Sequence, residues 1–183
     1  MDLNSVISSC KNKSLKDQQR LYEYTYTELF HVSLRYTQSP QDADEVFNAA
    51  MLKVFKHIIE TTTEIHNYLG FCIKIIRLTA IDHYRQNLSP VLYDINLVVD
   101  SKDDEYLDQA FAKLDTEHIF NIIQSLPHKE RIVFSMFEID GFSHREIALE
   151  LNINENHSKW LLHHAKKLLK EKLAKYGIKS YTL

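Results

Sequence analysis

Residues 140–175 read DGFSHREIALELNINENHSKWLLHHAKKLLKEKLAK, which parses as a helix-turn-helix followed by a basic extension. The stretch begins with Asp140-Gly141, a dipeptide that favours a tight turn. Ser143 stands three residues before Glu146, the S-x-x-E spacing in which hydroxyl and carboxylate each take an amide left unpaired at a helix start. A short helix therefore opens at Ser143, with Ile147, Ala148 and Leu151 on one face. It runs out at Leu151-Asn152-Ile153-Asn154, where Asn154 is placed to cap a second helix. That helix, residues 155–175, carries Leu162, Ala165, Leu169 and Leu173 at i, i+3, i+7 and i+11, a stripe suited to lie against the first helix. Its other side is cationic, with Lys159, Lys166, Lys167, Lys170, Lys172 and Lys175. Such a helix can present cations to a polyanion while its leucines anchor it, and a short helix, a turn and a longer basic helix are what major-groove readers use. An ordinary helical hairpin with a solvated lysine face fits the same spacing.

Outward from this stretch, the charge is unevenly placed. From His157 to the end there are seven Lys against one Glu, a balance of +6, and the chain total of −3 leaves −9 for residues 1 to 156. A cationic end and an anionic remainder suggest nucleic acid at one and basic protein surface at the other. Only three glycines and three prolines occur in 183 residues, which argues for an all-α chain rather than a turn-rich sheet protein. Cys10 and Cys72 stand far apart with no C-x-x-C and no matched histidine spacing, so neither a disulfide framework nor a zinc site is signalled and both read as reduced, structural residues. No apolar stretch near the amino terminus is long enough for a signal peptide, and none reaches the roughly eighteen residues of a membrane span. The expectation is a cytoplasmic protein without membrane insertion.

Upstream of the helix-turn-helix, residues 117–125 and 128–138 make two apolar-faced helices broken by Pro127. Residues 94–117 hold eight Asp/Glu against only Lys102 and Lys113, which reads as a flexible acidic linker. Residues 68–85 form a helix on which Lys74, Arg77 and Arg85 project within a narrow arc while Leu69, Ile76 and Ala80 face the opposite way. Phe71 and Tyr84 flank that arc, an arrangement suited to phosphate contact and stacking of unpaired bases, although both rings could equally be packing. Ser39-Pro40-Gln41-Asp42 supplies an N-cap, a proline at the first helical position and an acid matched to the dipole. The helix it starts buries Phe47, Ala50, Met51, Val54, Phe55 and Ile58, leaving Asp44, Glu45 and Asn48 toward solvent or a partner. Residues 15–37 predict one or two packed helices.

Leu126-Pro127-His128-Lys129-Glu130-Arg131-Ile132-Val133-Phe134, then Asp140-Gly141-Phe142-Ser143-His144-Arg145-Glu146-Ile147-Ala148, then Ala165-Lys166-Lys167-Leu168, resemble the promoter-binding domain of bacterial extracytoplasmic-function sigma factors. The family pattern there is roughly LP-x-x-x-R-x-V-F followed by G-x-S-x-x-E-I-A. In the other half, Asp42-Ala43-Asp44-Glu45-Val46-Phe47-Asn48 is similar to the family's D-A-x-D-x-x-Q-E run, with Ala49 in place of the glutamate. Residues 75–85, IIRLTAIDHYR, resemble I-A-R-N-x-A-I-D-x-x-R, with Leu78 in place of the asparagine. The resemblance covers about residues 18–175 in the family's order.

It implies two small helical domains, a region 2-like domain over 1–92 and a region 4-like helix-turn-helix domain over 117–183, joined by the acidic linker 93–116. It implies an initiation subunit of RNA polymerase that binds promoter DNA, with no cofactor, metal or catalytic residue of its own. Asp42, Asp44, Glu45 and Asn48 would grip the β′ clamp helices, and the second domain would adjoin the β flap. Phe71, Lys74, Arg77, Tyr84 and Arg85 would hold the melted minus-10 strand, and the polar loop of residues 60–67 would pocket a flipped base. Asp82 would order neighbouring arginines. Arg145, Glu155, Asn156, His157, Lys159, Trp160, His163, His164, Lys166 and Lys167 would meet the minus-35 duplex. Leu161 stands where relatives often carry arginine, and lysine lacks the planar fork that reads guanine. Phosphate-dominated binding is therefore expected, with site choice shared with another DNA-bound protein.

Ten histidines invite a metal-enzyme reading, but His157, His163 and His164 have no carboxylate at fitting spacing in their helix and lie among lysines. No nucleophile constellation or glycine-rich phosphate loop is present. An autonomous helix-turn-helix regulator acting without polymerase is the main alternative. A sigma-like chain silenced by an anti-sigma factor docked on an exposed Trp160, Leu161 and Leu168 stripe is another.

Overall fold

The computed structural model describes residues 3–61, 65–86, 107, 111 and 114–175. Every regular element among them is helical, and the chain forms two compact units, Met1–Leu88 and Ser89–Leu183. Most of the acidic linker 93–116, and residues 62–64 of the polar loop, lie outside the described residues.

The first unit holds α1 (Leu3–Lys11), α2 (Leu15–Tyr36), α3 (Pro40–Glu60) and α4 (Tyr68–Gln86). α1 is an element that the sequence reading did not anticipate, and it buries Val6, Ile7 and Cys10. Ser14 caps α2, which is one continuous helix with Leu21, Thr25, Leu29, Val32 and Tyr36 inward. α3 starts as its sequence predicts: the Asp42 amide donates to Ser39 Oγ at 3.1 Å and the Ser39 amide to Asp42 Oδ2 at 3.2 Å. Phe47, Met51, Leu21, Tyr36 and Ile76 are all under 2 % exposed, and each such side chain contributes roughly 1.5–3 kcal/mol by leaving water. Phe55 and Leu69, expected in the core, are only half-buried. α2, α3 and α4 pack on one another, and Tyr68 of α4 ties to α2, its hydroxyl 2.7 Å from Thr25 Oγ1. Thr25 in turn donates to the Leu21 carbonyl, so neither buried hydroxyl is orphaned. Burial pushes the Cys72 thiol up to about 12 and the Cys10 thiol to about 11, and both cysteines are unpaired.

The second unit contains α5 (Thr116–Gln124), α6 (His128–Phe134), α7 (His144–Leu151) and α8 (Glu155–Lys175). Arg131 is buried, with Nη1 donating to the Gln124 carbonyl at 2.7 Å, so this arginine joins α6 to the end of α5. The sequence predicts one helix over 128–138; instead α6 gives way at Ser135–Ile139 to a π-helical turn closed by the Asp140 amide on the Ser135 carbonyl at 3.0 Å. Gly141 follows at φ +74°, a backbone that a Cβ would strain, and re-aims the chain into α7. Both hydrogen bonds of the Ser143/Glu146 capping box form. Asn152 ends α7 in the left-handed conformation, and Asn154 caps α8 by accepting the His157 amide at 2.6 Å. Leu162, Ala165, Leu169 and Leu173 are buried as their spacing predicts, against α5, α6 and α7.

Candidate functional site

Three surfaces carry the residues singled out in the sequence. The first lies on α3 beside α2. Asp44, Glu45 and Asn48 are exposed, whereas Asp42 is half-buried and occupied as the α3 cap. Tyr26 donates to Asp44 Oδ1 at 3.2 Å and Tyr22 to Asn48 Oδ1 at 2.7 Å. The two tyrosines stack at 6.1 Å, and Tyr26 stacks on Phe30 at 4.5 Å, with Phe47 in T-shaped contact with all three rings. Desolvation, and after it Asp44, holds both phenols above their ordinary range, so they stay protonated donors. Neither Asp44 nor Glu45 has a cationic partner among the described residues, which leaves their charge outward.

On α4 the second surface is narrower than its periodicity suggests. Lys74 and Arg85 are exposed, and Arg77 and Phe71 are half-buried. Phe71 packs on His57 at 4.8 Å between centroids. Tyr84 is only 8 % exposed, so its ring packs into the unit. Asp82 pairs with Arg85 at 3.6 Å and with Lys53 of α3 at 4.0 Å, while Lys53 also donates to Thr79 Oγ1 at 3.0 Å. Lys53 thus joins the basic arc from a neighbouring helix, which no pattern within residues 68–85 could have signalled.

The third surface is the helix-turn-helix. Arg145, Glu155, Asn156 and Lys167 are exposed, and Lys159, Trp160, His163 and His164 are half-buried. Lys159 pairs with Glu155 at 2.8 Å; the hydrogen bond and charge of this lysine hold the Glu155 carboxyl below its usual range. Two of the residues expected at the duplex are largely buried. His157 is 6 % exposed, its pKa lowered by burial first and Lys129 next, and Lys166 is 8 % exposed with Nζ 2.7 Å from Glu138. His164 lies 2.9 Å from Glu130 and stacks with Trp160 at 4.9 Å. Leu161 is 3 % exposed, so Trp160, Leu161 and Leu168 form no open apolar stripe. His144 stacks on Phe137 and meets Ser158 at 2.9 Å, which fixes α7 to α8.

Among the described residues no group of three or more His, Cys, Asp or Glu could hold a metal ion, and no helix is long and apolar enough to cross a membrane. The family model described as Sigma-70 region 2 matches residues 21–88, and that described as Sigma-70, region 4 matches residues 117–169. The two cover the first and third surfaces respectively, with the α4 arc inside the region 2 match. No curated protein matches this chain.

Proposed function

We propose, for a chain that belongs to the sigma-70 family as an extracytoplasmic-function-type sigma factor in transcription initiation by RNA polymerase, a division of labour between its two halves. The first, over residues 1–92, docks on the β′ clamp helices through Asp44, Glu45 and Asn48. Lys74, Arg77, Arg85 and Phe71, with Lys53 added, hold the melted minus-10 strand. The second, over 117–183, lays α8 against duplex at minus 35 and adjoins the β flap, with 93–116 as the acidic linker between them. The chain acts in the cytoplasm and performs no chemistry. Binding separated strands more tightly than duplex shifts the melting equilibrium by that difference in affinity and by nothing else.

The observation that carries this reading is the exposed Asp44, Glu45 and Asn48 surface, uncommitted to any ion pair among the described residues, within the segment matched by region 2. Capture of core RNA polymerase by the purified full-length chain tests it. Asp44→Ala with Asn48→Ala should weaken capture at least tenfold, since charged hydrogen bonds contribute roughly 1.5–3 kcal/mol each. Unchanged capture removes the assignment, and no capture at all leaves an autonomous duplex-binding regulator.

The geometry of α8 also supports phosphate-dominated DNA binding. With Lys166 on Glu138 and Leu161 buried, Arg145 is the single residue with a planar fork among the expected duplex contacts. Site choice is then shared with a second DNA-bound protein, and an anti-sigma factor would need a surface other than Leu161.

A further inference from the structure

We infer that Tyr22 and Tyr26 are positioning residues of the polymerase-binding surface, a step that rests on the assignment of Asp44 and Asn48 to it. The two tyrosines are one turn apart on α2, and Asp44 and Asn48 are one turn apart on α3. Each hydroxyl meets one member of the facing pair, Tyr22 with Asn48 at 2.7 Å and Tyr26 with Asp44 at 3.2 Å. An exposed Asp or Asn on a helix samples several rotamers, and ordering it on binding costs affinity. Here each is tied to a ring that is itself clamped: Tyr22 and Tyr26 stack on one another and abut the fully buried Phe47.

The bonds also decide which chemistry faces outward. Asn48 accepts from Tyr22 through Oδ1, which leaves its amide protons for an acceptor on the partner. Asp44 accepts from Tyr26 through Oδ1 and keeps Oδ2 for a cation, and Glu45 adds a second negative charge beside it. The surface therefore fits a protein face that sets a guanidinium or ammonium group next to a carbonyl or carboxylate. Its geometry is set before contact rather than by it.

The test is a titration of core RNA polymerase with full-length chain carrying Tyr22→Phe, Tyr26→Phe, Asp44→Ala, Asn48→Ala and the double change Tyr22→Phe/Asn48→Ala. Phenylalanine keeps the stack and removes only the hydroxyl, so the thermal midpoint should hold. Each Tyr→Phe change should weaken binding about 2-fold to 10-fold, the range of one hydrogen bond. In the Asn48→Ala background, Tyr22→Phe should add nothing, because there is no amide left to hold. Loss of affinity on Asp44→Ala and Asn48→Ala without loss on either Tyr→Phe change overturns the positioning role alone. An equal loss from Tyr22→Phe in both backgrounds makes Tyr22 a direct contact and overturns it too. No loss from Asp44→Ala or Asn48→Ala overturns the surface assignment and the inference with it.

Discussion

The anionic face of α3 and the basic helix α8 look equivalent as charge patterns, yet the structure treats their charges differently. Asp44 and Glu45 are exposed with no counter-ion among the described residues, and the one bond that Asp44 receives comes from the neutral hydroxyl of Tyr26. On α8, by contrast, Lys166 is buried against Glu138 and Lys159 is paired with Glu155. A count of charges is therefore close to the charge presented at the first surface and exceeds it at the second. Where a cation is committed to its own unit, it cannot release counterions from a phosphate.

Three substitutions probe that contrast, beginning with the core that makes it possible. Leu169 is fully buried on the inner face of α8, so Leu169→Ala should cost the second unit about 2–5 kcal/mol. Denaturant unfolding followed through Trp160, the chain's one tryptophan, reads this directly. A cost near zero would mean that α8 is not held as described. Lys166→Met should cost about 1 kcal/mol or less, because Glu138, the partner it leaves, is exposed to water, and Lys166→Met/Glu138→Leu should recover most of that. Neither variant should change the salt dependence of DNA binding. Lys167→Ala is the converse case, because Lys167 is exposed. It should leave stability within about 0.5 kcal/mol and reduce the slope of log affinity against log salt by about one, equally on promoter and scrambled duplex. A slope change from Lys166→Met rather than Lys167→Ala would reverse the distinction between the two lysines.

What was legible in the sequence follows from the range of the forces involved. Caps act within three residues, and Ser39-Pro40-Asp42, Ser143 with Glu146, and Asn154 all form the bonds that their spacing predicts. Apolar stripes act within one helix, and Leu162, Ala165, Leu169 and Leu173 are buried accordingly. What the sequence left unread comes from neighbours that one helix cannot announce. α8 packs against α5, α6 and α7, so its buried arc widens past the leucine stripe to take in His157, Leu161 and Lys166. Tyr84 is drawn inward in the same way on α4. Tyr22, Tyr26 and Lys53 gain their meaning only across helix pairs, from residues more than fifteen positions away. The π-helical turn at Ser135–Ile139 has no spacing signature at all, since residues 128–138 read as one continuous helix and the extra residue is absorbed at its end.

The most direct test of the account is transcription itself. Core RNA polymerase is given genomic DNA fragments with and without the full-length chain, and the 5′ ends of all transcripts are mapped. New starts at recurrent positions should appear only when the chain is present and should be lost with Asp44→Ala/Asn48→Ala. The same starts with and without the chain, or firm binding to duplex with no new start anywhere, would contradict it.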